Sequence, residues 1–231
     1  MTDQAHLDLL RELNEYEPGG FVAIGGVALH LYQRASGIPP HKPIHDLDVF
    51  VTWLGMDTAT ALYEVHRNPR LGKASFKAGP VSGDLYIERQ HDLGLDNDSF
   101  VKNSWIIDGI RVLHPVHYLA LKLDAVSAGR KHPDDAADLV RFFETDAGRQ
   151  LPPLMLAKVM TPARCEALRT LIHDPMICMA VTGDSMTARA QAENLRGTIA
   201  AITGEEAPSG ILPSKQQYEA SRWTSLDGGI A

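Results

Sequence analysis

Apolar positions recur at helical spacing in residues 4–16, where Leu7, Leu10 and Leu13 share one face, and this predicts an amphipathic helix. Pro18-Gly19-Gly20 ends it. Phe21-Val22-Ala23-Ile24 reads as a short apolar strand, turned by Gly25-Gly26 into a helix from Val27 to about Arg34. An irregular loop with three prolines follows from Gly37 to Pro43. Leu47 to Thr52 is a second strand, and residues 57–66 carry a helical pattern. Lys73–Lys77 and Asp84–Glu88 are strands joined by a Gly-Pro turn. Arg111–Leu113 is a further strand. Pro115 then suits the first turn of a helix reaching about Ala128, and another helix runs from Asp134 to about Glu144.

Strand signals stop after residue 148. Thr161-Pro162 is a cap followed by proline at the first helical position, with Leu168, Leu171 and Ile172 on one face. Ser185 caps a second helix with Leu195, Ile199 and Ile202 inward, and Gly204 ends it. The expected division is an α/β domain over 1–148, a helical extension over 149–204, and a loose tail over 205–231 rich in Gly, Ser and polar residues.

Composition narrows the class. The 231 residues are 44% hydrophobic and 22% charged, near the roughly 45–50% and 25% of soluble globular chains. Bulk disorder, collagen and coiled coil are excluded, and no apolar run approaches the ~18 residues of a membrane span. The polar, acidic opening MTDQAHLDLL argues against a signal or transit peptide. Cys165 and Cys178 are too few for a disulfide framework, so a cytoplasmic setting is expected. The net charge is −7, so any nucleic-acid partner must meet a local basic patch.

The sharpest chemical feature is Asp46-Leu47-Asp48-Val49-Phe50-Val51. Alternate residues on a strand share a face, so Asp46 and Asp48 point one way while Leu47 and Val49 point into the core. Two carboxylates on one face repel unless a cation or proton lies between them. Oxygen-only ligands favour Mg²⁺ (or Mn²⁺), which binds through a few carboxylates plus substrate phosphates. Alone, the tripeptide equally suits a solvated strand edge. Gly25-Gly26 adds weight: glycine lets backbone approach a phosphate, and a helix N-terminus offers free N–H groups and a positive dipole end. A two-metal site needs a third carboxylate from a neighbouring strand. Asp84 is the first candidate, Glu88 the second on the same face, and Asp92 the third. The carboxylates of Asp46, Asp48 and Asp84 are expected to converge beside the Gly25-Gly26 turn.

Gly25-Gly26-Val27-Ala28, then Lys42-x-x-x-Asp46-Leu47-Asp48-Val49-Phe50, resembles the signature of the polymerase-beta-like nucleotidyltransferase fold. The later run Arg111-Val-Leu-His-Pro115, Leu119-Ala-Leu-Lys122-Leu123-x-Ala125, Arg130 and Asp135-Ala-Ala-Asp138-Leu139 is similar to the AbiEii/AbiGii branch, minimal nucleotidyltransferases of which several are toxins of toxin–antitoxin pairs. The resemblance spans roughly residues 20–145. Lys42 stands where that family often carries Arg, and Ile44 where it carries Thr. The resemblance implies a small mixed sheet flanked by helices and a nucleoside triphosphate substrate. It implies Lys122 and Lys42 at the phosphates, and a cognate antitoxin as partner. Asp135 and Asp138, at i and i+3, equally suit partners that orient Lys122 or Arg130.

His41, His45, His114, His117 and His132 lack structural-zinc spacing, and His114 and His117 read as surface or capping residues. Trp53, Tyr86 and Trp105 suit base stacking or a buried core. The reading is a metal-dependent nucleotidyltransferase that moves a nucleoside monophosphate to an acceptor hydroxyl on tRNA, a small molecule or a protein. Asp46, Asp48 and Asp84 are its catalytic and metal-binding residues. The rivals are a catalytically silent interaction protein of the same fold and a phosphohydrolase on the same carboxylates.

Overall fold

In a computed structural model of the chain, α1 runs Asp3–Tyr16, and Leu7, Leu10 and Leu13 bury the face they share. The structure describes residues 3–91, 93–128, 132–173, 190, 193–198, 200, 202 and 204. Two compact units divide the chain, Met1–Lys122 with Arg141–Val159, and Leu123–Val140 with Met160–Ala231.

The first unit is mixed α/β. In chain order it carries β1 (Phe21–Ala23), α2 (Gly25–Ala35), β2 (Leu47–Val51), α3 (Trp53–Leu62), β3 (Glu64–Asn68), β4 (Lys73–Ala78) and β5 (Val81–Ile87). Next come α4 (Asn97–Lys102), β6 (Trp105–Ile107), β7 (Ile110–Val112) and the start of α5 (Pro115–Ser127). The end of α6 (His132–Glu144), α7 (Asp146–Arg149) and α8 (Pro153–Val159) complete it. The strands form one seven-stranded sheet in the order β3-β4-β5-β2-β1-β7-β6. β2 runs antiparallel to β1 and parallel to β5, and β1 runs parallel to β7. The outer neighbours, β3–β4, β4–β5 and β6–β7, are antiparallel.

The short helices α4 and α7 have no counterpart in the expected elements, and three further differences concern the sheet and the site. The helix expected over 57–66 is α3, which starts at Trp53 because the Thr52 side chain accepts the Gly55 N–H at 3.2 Å. The chain is extended by Tyr63, and β3 occupies Glu64–Asn68. That strand is a largely exposed sheet edge, so its sequence has no apolar alternation to read. β6 also went unforeseen, although Asp108-Gly109 supplies the two left-handed residues (φ 51 and 76) of a two-residue hairpin turn into β7. The third difference is α2, which begins at Gly25 rather than Val27, so both glycines lie in its first turn.

Tyr32, fully buried on α2, anchors the core. Its ring meets Tyr118 and Trp105 edge-on at 5.6 and 6.3 Å and tilts over Phe142 at 5.7 Å. Its hydroxyl donates to the Leu113 carbonyl. Phe50 meets Phe100 edge-on at 4.9 Å on β2.

In the second unit, α9 (Pro162–His173) starts where Thr161-Pro162 predicts, with the Arg164 N–H donating to Thr161 Oγ1 at 3.3 Å. Leu168 and Leu171 are buried, and Arg164 grips both Asp124 oxygens at 2.8 and 2.6 Å. Residues 193–198 are helical with Leu195 buried, and Gly204 is left-handed with its N–H on the Ala200 carbonyl. Ser185, Ile199, Cys178 and the tail expected over 205–231 lie outside the described residues, as does the Ile172 side chain. Among the described residues no helix is long and apolar enough to cross a membrane.

Tyr32→Phe keeps the ring and loses one buried hydrogen bond, so it should cost about 1–2 kcal/mol. Tyr32→Ala removes the ring as well and should cost about 3–5 kcal/mol. Urea unfolding measures both. Equal costs would show that the hydroxyl, not the ring packing, holds α2.

Candidate functional site

Asp46 is exposed at the bend just before β2, and Asp48, two residues on, is half-buried on the same side of the extended chain. Leu47 and Val49 between and beyond them are fully buried, as their alternation predicts. β5 lies alongside β2 with Asp84 directly opposite Asp48, about 4.8 Å away at the backbone. The parallel pairing therefore brings the third carboxylate to the first two.

The start of α2 closes over this edge. The Ile24 N–H donates to the Asp48 carbonyl at 3.0 Å. Gly25 is left-handed (φ +57), and a Cβ there would fall 2.4 Å from Asp48 Oδ2, so this position admits only glycine. At Gly26 a Cβ would meet nothing within 4 Å. The helix's first turn is closed by the Ala28 N–H donating to the Ile24 carbonyl at 3.3 Å. The N–H groups of residues 25 to 27 thus have no partner within the helix.

Burial of the Asp48 carboxyl, then the charges of Asp46 and Asp84, push its pKa up to about 6; a hydrogen bond from Tyr86 and the charge of Lys122 act the other way. Tyr86 Oη donates to Asp48 Oδ1 at 3.3 Å. Burial, followed by the fields of Asp48, Asp84 and Asp46, drives the ionisation of Tyr86 far upward, so its hydroxyl keeps its proton. Lys73, on β4, forms an ion pair with Asp84 Oδ2, and its ammonium lies 5.7 Å from the centre of the Tyr86 ring.

Asp46, Asp84 and Lys122 therefore all act on Asp48, which lies against Gly25. They do not form a ready cage: among the described residues no group of three or more His, Cys, Asp or Glu side chains is disposed to hold a metal. Asp84 faces Lys73 instead. Glu88 lies elsewhere. It is four residues, roughly 13 Å, along the chain from Asp84; it accepts the Trp53 N–H at 3.4 Å and lies 3.8 Å from Arg89 Nε. Lys42 is half-buried in the loop before Asp46. Asp135, half-buried, and Asp138, buried, sit on the part of α6 in the second unit. Asp92 and Arg130 lie outside the described residues, as does the side chain of His132.

His114 and His117 are buried, not on the surface. His114 does cap, its Nδ1 accepting the Val116 N–H at 3.2 Å, while burial and then His114 hold His117 down at about 4. His41 faces Gln33 at 3.4 Å and His45 is exposed. Trp53 and Trp105 are 45% and 38% exposed, whereas Tyr86 is committed to Asp48.

Two contributors escaped the sequence reading. Lys73 sits on a strand that was foreseen, but its pairing with Asp84 depends on the β4–β5 register, which no local pattern carries. Asp3 accepts the Ile44 N–H at 2.8 Å and so ties the start of α1 to the segment entering Asp46. Comparison with protein-family models, with curated proteins and with solved structures finds no match to this chain.

Because Asp48 holds its proton more tightly when folded, its ionisation costs stability that appears as pH rises from about 4 to 6 and persists above. Asp48→Asn removes a penalty on the order of 3 kcal/mol. The variant should match wild type near pH 4 and be more stable at pH 7.5, measured by urea denaturation without divalent ions. A gain of the same size at both pH values would show that the Asp48 charge is not the cause.

Proposed function

We propose that this chain is a metal-dependent nucleotidyltransferase of polymerase-beta-like type, which moves a nucleoside monophosphate from a triphosphate to an acceptor hydroxyl. The observation that carries the reading is Asp48 held against Gly25 at the N-terminus of α2, with open space at Gly26 beside it. Hard oxygen ligands next to unpartnered helical N–H groups suit a divalent cation together with a phosphate.

Asp46 and Asp48 are the residues that would hold Mg²⁺ or Mn²⁺. When bound, the ion supplies neutralisation of charge on the phosphates. The N–H groups of residues 25 to 27 donate to phosphate oxygens, and Lys122, whose charge acts on Asp48, adds a positive charge. Asp84, oriented by Lys73, accepts the proton of the acceptor hydroxyl. Tyr86 keeps its own proton and holds Asp48 in place. A tRNA end, a small hydroxylated molecule and a protein side chain all present such a hydroxyl. The resemblance to the AbiEii/AbiGii branch supports the first, with an antitoxin as protein partner.

The Lys73–Asp84 ion pair favours a second reading, a domain of this fold that binds a partner and transfers nothing. The assay that separates the two is incorporation of label from each of the four α-labelled triphosphates into RNA, protein extract or a panel of hydroxylated antibiotics. Wild type should label one acceptor class in the presence of Mg²⁺ or Mn²⁺, and Asp48→Ala should lose at least ~100-fold while staying folded. No labelling by wild type with any triphosphate selects the second reading.

Gly26→Ala gives an independent check. Alanine suits a helix better than glycine by about 1 kcal/mol, and its methyl meets nothing in the fold. The variant should therefore be slightly more stable yet bind triphosphate at least tenfold more weakly, measured by calorimetry with Mg²⁺. Undiminished affinity would remove Gly26 from the phosphate site.

A further inference from the structure

Lys73 enters the proposed chemistry only through Asp84, and its position is specific. β4 pairs antiparallel with β5, with Lys73 opposite Tyr86 and Ser75 opposite Asp84. The lysine side chain crosses back past the Tyr86 ring to reach Asp84 Oδ2. Its end is sheltered, the Lys73 and Asp84 side chains being 27% and 30% exposed. Asp84 is bonded in turn to the strand that carries Asp48. The ammonium thus occupies the Asp84 carboxylate that a second divalent ion would have to use.

We infer that Lys73 takes the place of the second metal ion, so that this site binds a single divalent cation, at Asp46 and Asp48, with Asp84 held by an internal ammonium. The inference rests on the reading of Asp46 and Asp48 as cation ligands. The physical ground is charge. A divalent ion arriving at Asp84 meets a fixed positive charge within a few ångströms and must displace an existing ion pair. An ion at Asp46 and Asp48 displaces none that involves Lys73, and it relieves the mutual repulsion of those carboxylates. Lys73 also keeps Asp84 from drawing the ion away from the phosphate side of the cluster, at the N-terminus of α2. It is a positioning residue, acting through Asp84.

The test counts Mn²⁺ bound to the full chain, by electron paramagnetic resonance of the free ion and by calorimetry, without nucleotide. Wild type should bind one Mn²⁺. Lys73→Arg, which keeps the charge, should also bind one. Lys73→Met should bind two, the first roughly tenfold tighter than in wild type because a neighbouring positive charge is gone. Circular dichroism checks that each variant is folded, and Lys73→Gln replaces Lys73→Met if the latter is not. Two ions in wild type, or one in the folded neutral variants with unchanged affinity, overturns the role of Lys73 and leaves the cation reading standing. No Mn²⁺ bound by wild type overturns both.

Discussion

The close approach of Gly25 to the Asp48 carboxylate governs this site. One oxygen of Asp48 occupies the space that any β-carbon at residue 25 would fill. The left-handed backbone there makes glycine the residue of choice on a second, independent count. From that contact follow the partial burial of Asp48, the placement of the first turn of α2 over the edge of β2, and the upward push on the carboxyl. The Ile24 N–H on the Asp48 carbonyl fastens the same two elements through the backbone. Side chain and main chain of one residue thus fix where the helix begins relative to the strand.

The sheet then assembles the charges. Parallel pairing of β2 with β5 is tight at Gly83, where a Cβ would lie 2.4 Å from the Leu47 carbonyl. The next position along each strand is Asp48 and Asp84. The same close fit that seals the core between Leu47 and Phe76 therefore sets two acids side by side. Carboxylates so placed are costly without positive charge nearby, and the fold supplies it from two directions, Lys73 from β4 and Lys122 from α5. These cations do not erase the cost, because Asp48 remains raised to about 6 with both present.

Local pattern made part of this arrangement legible. The period-2 alternation of Asp46-Leu47-Asp48-Val49 assigned faces correctly, since it depends only on strand geometry. Gly25-Gly26 marked a strand-to-helix junction for the same reason. The same period placed Glu88 on the Asp84 face, but says nothing of position along it, and Glu88 sits at the far end holding the start of α3. Lys73 and Tyr86 acquire their roles from cross-strand register, a non-local property. His114 and His117 looked like surface polar residues because their sequence neighbours, Pro115 and Val116, carry no clear helical stripe, yet the packing around Phe100 and Trp105 buries them. β6 is a different kind of miss. Its Asp-Gly turn was present as a local signal, but the flanking apolar residues are largely exposed on an edge strand. The strand order of the sheet itself is not fixed by any of these local features.

The two electrostatic elements of the site pull against each other, and that opposition constrains what can occupy it. The N-terminus of α2 carries partial positive charge and favours an anion. Asp48 is already that anion, and its charge is nonetheless disfavoured, so burial and the neighbouring acids outweigh the helix end. A phosphate brought alone to the N–H groups of residues 25 to 27 would meet Asp46, Asp48 and Asp84 within the same field and be repelled. A cation brought alone would satisfy the acids and leave the helix donors unused. Only a cation and an anion arriving together satisfy both halves. Under the proposed function their binding would also release the proton that Asp48 holds below about pH 6, so affinity for the pair should rise with pH through that range. This coupling comes from the juxtaposition of one glycine and one carboxylate, and under the proposed function it would hold for any metal–phosphate ligand.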